Sequence, residues 1–162
     1  MTTQSPAVAA ASAHRAGGAR ITLRLHPDWP PVLLPAAILP QVALDVSVAP
    51  IPNCPPWFRG VIGRRGAVVP VFDVPASQGL PLSQLRQMRI VVLDPGPEAL
   101  ALLCTEVPGV STVEGPAGAE MPPGLPQGLA PFLDPPLLCG GQALAVFDVR
   151  RWLASLAPSI AR

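Results

Sequence analysis

Three groups of residues in this 162-residue sequence are of types that can do chemistry. The first is glycine-rich. Gly60-Val61-Ile62-Gly63-Arg64-Arg65-Gly66 has the composition of a phosphate-binding loop. Such a loop should lead into a helix whose N-terminus faces the anion. Here Ala67-Val68-Val69-Pro70-Val71-Phe72 follows, a strand pattern, and the chain has no lysine to reach a phosphate. The segment therefore reads as strand, tight turn, strand, with glycines supplying positive φ.

The second group is thiols and imidazoles. The cysteines are Cys54, Cys104 and Cys139, an odd number at wide spacing with no CxxC pair. That pattern indicates neither a zinc site nor a disulfide framework, and the three read as small buried hydrophobes. The histidines are His14, near the N-terminus, and His26, at the first turn. A Cys–His or Ser–His pair would have to recruit one of them, which argues against nucleophilic catalysis. No metal and no organic cofactor is expected.

The third group is two carboxylates in matching contexts, Val71-Phe72-Asp73-Val74 and Val146-Phe147-Asp148-Val149. A catalytic dyad can be imagined there. The plainer reading is that each aspartate ends a strand and accepts backbone hydrogen bonds. The repetition speaks for two similar barrels.

The elements that would position these groups are short. Ile21, Leu23 and Leu25 alternate with Arg20, Thr22 and Arg24, the period of a half-buried strand, and Val32-Leu33-Leu34 can return as its hairpin partner. Further strands are expected at Gly60–Ile62, Ala67–Val74, Arg89–Leu93, Ala99–Val107 and Ala143–Val149. Pro70 marks the second of these as an edge or bulged strand. Turns fall at Asp94-Pro95-Gly96-Pro97 and Gly140-Gly141. Helices are confined to Leu80–Met88 and to a C-terminal stretch from Arg150 to Leu156, since 24 prolines oppose extended helix. Gly115–Pro136 reads as a long connection pinned by Met121, Leu125, Leu129 and Phe132. Trp57-Phe58, behind Pro55-Pro56, reads as a packed corner rather than a ligand platform.

Composition narrows the function classes. The apolar fraction is 49%, ample for a core, and 11 basic against 10 acidic side chains leave the net charge at +1. A near-neutral chain lacks the dense positive field that nucleic acids or anionic membranes require. All the basic residues are arginine. No secretory signal and no membrane span is indicated; the richest apolar stretch, Pro31–Val46, is interrupted by Pro35, Pro40 and Gln41.

The run from Pro50 to Val74, centred on Pro55-Pro56-Trp57-Phe58-Arg59-Gly60-Val61-Ile62 and Val69-Pro70-Val71-Phe72-Asp73, resembles the signature of CheW-like domains. That family places a proline-flanked aromatic before Gly-Val-Ile, then a turn ending Asn-Leu-Arg-Gly, then Val-x-Pro-Val-x-Asp. Leu34–Val42, Arg89–Val113 and Phe147-Asp148-Val149 with Trp152-Leu153 resemble its flanking segments in the right order. The resemblance runs from Ile21 to Leu156, and Leu33-Leu34-Pro35 is closer to the PilI branch, which serves twitching motility, than to flagellar CheW. Departures fall at Gly63-Arg64, in place of Asn-Leu, and at Gln41, Ala101 and Thr105, in place of glutamate, glycine and aspartate. Without the Gln41 charge, a salt bridge to Arg65 that the family pattern implies is lost.

The resemblance implies an all-β fold of two five-stranded SH3-like barrels packed together. The expected domain spans residues 19–157, with a disordered tail over 1–18 and a short tail over 158–162. It implies an adaptor without catalytic activity, cytoplasmic and associated with membrane-receptor arrays. The adaptor would couple chemoreceptors to a CheA-type histidine kinase in chemotaxis or type IV pilus signalling, without nucleic acid and without membrane insertion. Kinase contact is expected at Gly60, Ile62, Arg65 and Gly66, with Gln41 and Val42 beside them. The tip of a chemoreceptor hairpin is expected in a groove between the barrels, at Leu39, Val91 and Ala101. The competing readings are a small enzyme built on Cys104 or Cys54, and a ligand- or peptide-binding barrel of an unrelated pathway.

Overall fold

The computed structural model describes residues 18–94 and 98–160, the last four by backbone alone. The expected N-terminal tail and the centre of the 94–97 turn lie outside the described residues.

Ten strands form two five-stranded sheets. β1 (Ala19–Leu23), β2 (Val32–Leu33), β8 (Gly109–Pro116), β9 (Leu133–Cys139) and β10 (Gln142–Phe147) close into a barrel of order β1-β2-β10-β9-β8. We call it the terminal barrel. The segment between its first two and last three strands supplies β3 (Pro40–Ala43), β4 (Phe58–Arg64), β5 (Ala67–Phe72), β6 (Arg89–Leu93) and β7 (Leu100–Cys104). These make a sheet of order β3-β6-β7-β5-β4. Its end strands are tied where Ala49, beyond β3, exchanges both backbone hydrogen bonds with Val61 of β4 at 2.8 and 2.9 Å. This is the inserted barrel, so the mostly β, two-barrel expectation holds.

Two helices follow the paired aspartates: α1 (Val74–Ser77) after β5, and α2 (Val149–Ile160) after β10. α2 is the longest helix among the described residues. The helix expected over Leu80–Met88 reduces to one 3₁₀ turn, Leu85–Gln87. The expected loop over Gly115–Pro136 is partly structured. β8 reaches Pro116, a 3₁₀ turn spans Gln127–Phe132, and β9 takes in Pro135 and Pro136. Those prolines fit because they lie at a register shift: Leu137 pairs with Leu144 and Asp134 with Val146, leaving Pro135 and Pro136 opposite Ala145 alone. A bulge needs no ladder donor at that point. Pro70 is not on an edge strand, since β5 lies between β4 and β7. It costs no ladder bond because β5 joins β7 only at Val71 and Phe72.

Packing explains why strand periodicity was faint in the central sequence. The largest core lies between the barrels. It joins Leu23, Trp29 and Val32 to Phe72, Val91, Leu102, Phe147 and Trp152. A second core fills the inserted barrel with Ile62, Val69, Val71, Ala101 and Leu103, and a third fills the terminal barrel with Leu33, Val113, Leu144 and Val146. β7 is buried throughout because Leu100, Leu102 and Cys104 face one core while Ala101 and Leu103 face another. A strand covered on both faces reads as a continuous apolar run. Trp57 and Phe58 pack on Phe72 at ring separations of 6.2 and 5.4 Å, the packed corner expected.

Candidate functional site

The glycine-rich segment is a hairpin. β4 and β5 pair from Phe58↔Phe72 to Arg64↔Ala67, and the two-residue turn is Arg65-Gly66. Both turn residues have positive φ, 51° and 77°. That is the geometry whose twist suits a two-residue hairpin, and it is strained for an arginine. Gly63, expected to supply positive φ, does not; it lies within β4 with open space where a side chain would be. Gly60 does so at φ 133°, and a Cβ there would stand 2.2 Å from the Ala49 carbonyl oxygen. Gly60 is therefore what lets the closing segment reach Val61.

The expected kinase-contact residues divide into support and surface. Gly60 and Ile62 are buried, Ile62 within the inserted-barrel core. They shape the hairpin and offer no side chain to a partner. Arg65 and Gly66 are exposed, and Gln41 and Val42 are half-buried on β3. Gln41 is tied to the hairpin, though not through Arg65: its Oε1 accepts from Arg64 Nη2. Sequence reasoning missed Val68, which is 70% exposed. The signal was present, because Val69 and Val71 are the inward positions of β5, so Val68 must point out.

The receptor trio separates. Leu39 is 67% exposed, whereas Val91 and Ala101 are fully buried. Val91 lies in the core between the barrels and Ala101 inside the inserted barrel. The expected groove is filled at these two positions by packing, which leaves Leu39 as the accessible member.

Asp73 has no exposed surface, and its carboxylate is fully engaged. Oδ2 accepts from Arg59 Nη1 and Ser83 N, both at 2.9 Å, and Oδ1 from Ser83 Oγ at 3.0 Å and Ala76 N at 3.3 Å. Asp148 caps α2 in the same way, accepting from Arg151 N at 3.0 Å and Arg151 Nη1 at 3.3 Å. Both aspartates therefore end strands and cap helices, and Asp73 has no lone pair left to act as a base.

The thiols fare no better as nucleophiles. Burial pushes Cys104 from its ordinary value of 9.0 up to about 12. Cys139 is also raised, by burial first and then by Glu114, with Arg20 opposing. Since the thiolate is the nucleophile, both shifts run against a nucleophilic role. Cys54 is half-buried and its Sγ donates to the Pro52 carbonyl at 3.8 Å. His26 accepts from the Asp28 amide and lies against Trp29. Among the described residues no group of three or more His, Cys, Asp or Glu could hold a metal, and no helix is long and apolar enough to cross a membrane.

The hairpin, its supporting Gly60 and the capping Asp73 all fall within residues 34–157, which match the family model for the CheW-like domain. The chain belongs to the CheW-like domain family. Its fold is similar to that of the scaffolding protein TtCheW from Thermoanaerobacter tengcongensis, with a TM-score of 0.62. The likeness covers 80% of this chain and 87% of that one at 20% identity. Comparison with curated proteins gave no match. Within the family pattern, two departures now have a physical setting. Gln41 keeps a hydrogen bond to the hairpin without a charge. Thr105 uses its amide, at 2.8 Å, and its hydroxyl, at 3.2 Å, to hold the Arg24 carbonyl, fastening β7 beside β1.

Proposed function

We propose that this CheW-like chain is a non-catalytic cytoplasmic adaptor that couples chemoreceptors to a CheA-type histidine kinase, in chemotaxis or type IV pilus signalling. Family membership supports the class. The observation that carries the detail is the Arg64–Gln41 hydrogen bond, which joins β3 to the β4–β5 hairpin as one surface. That surface presents exposed Arg65, Gly66 and Val68, with Gln41 and Val42 at its border. Arginine is a favoured interface anchor, and the exposed Val68 beside it adds apolar contact area. The kinase regulatory domain docks there, and the receptor tip docks at Leu39.

Calorimetry with the kinase regulatory domain tests the first contact. Arg65→Ala weakens binding by about 1–2 kcal/mol while the melting curve stays unchanged, as expected for an exposed anchor. Val68→Asp does the same or more. Native affinity in both variants removes the hairpin from the interface. For the second contact, Leu39→Asp leaves the circular dichroism spectrum intact, because the position is exposed, and abolishes receptor-array localisation in cells. A folded variant that localises normally removes Leu39.

A further inference from the structure

An open pocket of about 450 Å³ lies beside the start of β4, lined by Arg59, Leu82, Ser83, Gln84, Leu85 and Arg86. Arg59 is largely enclosed, with 14% of its side chain exposed. One edge of its guanidinium is occupied: Nη1 donates to Asp73 Oδ2 at 2.9 Å and to the Ser83 carbonyl at 2.7 Å. Nε and Nη2 meet no acceptor among the described residues. Among the described residues no buried side-chain nitrogen is left without a partner, so these two atoms keep some exposed surface beside the pocket that Arg59 lines. The Nε–Nη2 edge of an arginine is a fork that grips a carboxylate with two parallel hydrogen bonds. Asp73 and Ser83 already hold this fork in place, so little side-chain freedom is lost on binding.

The rest of the pocket narrows the occupant. Asp73 neutralises Arg59, and the remaining charge comes from Arg86, which is exposed and joins none of the ion pairs among the described residues. Leu82 and Leu85, exposed at 52% and 38%, form the apolar part. We propose that the pocket takes a short segment of a partner protein in which an aspartate or glutamate adjoins an aliphatic side chain. The carboxylate meets Arg59 and Arg86, and the aliphatic group covers Leu82 and Leu85. Residues 1–27 of this chain are not the occupant, since none of them is acidic. A free inorganic anion would leave both leucines bare. Arg59 and the Arg65 hairpin tip lie at opposite ends of β4, roughly 20 Å apart at a strand rise of about 3.3 Å per residue. This contact is therefore separate from the proposed kinase surface.

Panning displayed random short peptides against the full chain tests the proposal. Selected clones are expected to carry Asp or Glu next to Leu, Ile or Val. A synthetic copy of the strongest clone binds Arg86→Glu at least about tenfold more weakly, the loss of one charge-assisted contact. It binds Arg86→Lys near native strength, and its amide isostere fails on the native chain. Circular dichroism confirms that the exposed Arg86 variants are folded. Three results overturn the proposal: no acidic–aliphatic enrichment, native affinity in Arg86→Glu, or displacement of the peptide by millimolar phosphate, which would mark a simple anion site.

Discussion

In the terminal barrel the closing strand is continuous. β8 pairs with β1 through Gly109–Thr112 and with β9 from Val113 onward, without leaving the sheet. The inserted barrel has the same strand order, with β3 in the place of β8, yet its closing strand is broken. β3 pairs with β6 through Pro40–Ala43, the chain then leaves the sheet with Asp45 at φ 54°, and pairing resumes only at Ala49. The two barrels otherwise repeat closely. Each has a parallel pair, β2 with β10 and β5 with β7, and a two-residue hairpin with positive φ, Gly140-Gly141 or Arg65-Gly66. In each, the second strand of that hairpin, β10 or β5, is followed by an aspartate that caps a helix. The difference teaches where adhesion is concentrated. The terminal barrel relies on its backbone ladder. The inserted barrel relies on a few local devices: the absent side chain of Gly60 at the bridge, Arg64–Gln41 across the seam, and the buried Arg59–Asp73 pair.

The sharpest way to break this comparison is to remove the matching aspartates. Asp73→Ala strands a largely buried guanidinium and two Ser83 donors, and should cost about 3–5 kcal/mol in urea unfolding. Asp148→Ala loses a half-exposed cap and should cost about 1 kcal/mol. Equal losses would show that the motifs carry equal weight. The next effect is at the bridge. Gly60→Ala forces a Cβ against the Ala49 carbonyl at a positive φ and should cost about 2–3 kcal/mol. Gly63→Ala, with nothing near it, should stay within about 0.5 kcal/mol. The smallest effect is at the seam. Gln41→Ala should cost about 1 kcal/mol and quicken hydrogen exchange at the Val61 amide, leaving the β8–β9 amides unchanged.

The hairpin, the paired strand ends and the Trp57-Phe58 corner were legible because each leaves a local mark. Glycines bracket the turn, the Val-Phe-Asp-Val run recurs, and aromatics sit behind prolines. Depth was not legible. Val91, Ala101 and Leu39 are alike in type, yet two are enclosed and one is open, because β6 and β7 are covered on both faces and alternate between cores. No local pattern separates such positions. The fold of Leu80–Met88 was also hidden. Ser83 is held to Asp73, ten positions earlier, by two hydrogen bonds, and this tether prevails over the weak helical pattern around Pro81. Pro135 and Pro136 misled because a bulge, visible only in the pairing, accommodates them. The pocket beside Arg59 depends on the same long-range tether, so the sequence could not announce it.

The interleaving of the barrels along the chain has a consequence for biosynthesis. A ribosome releases β1 and β2 first, then all five strands of the inserted barrel, and only afterwards β8, β9 and β10. Chains emerge at about 5–20 residues per second, and N-terminal units fold first. The barrel with the broken seam must therefore take shape while its partner is a two-strand fragment. Until β10 and α2 emerge, the core that holds Phe72, Val91 and Leu102 lacks Phe147 and Trp152, and the face of Phe72 that will meet Trp152 stays bare. Vectorial synthesis thus leaves the less securely fastened half waiting longest for its cover. Codons that slow translation before residue 142 would lengthen that wait, and aggregation during expression should rise with it.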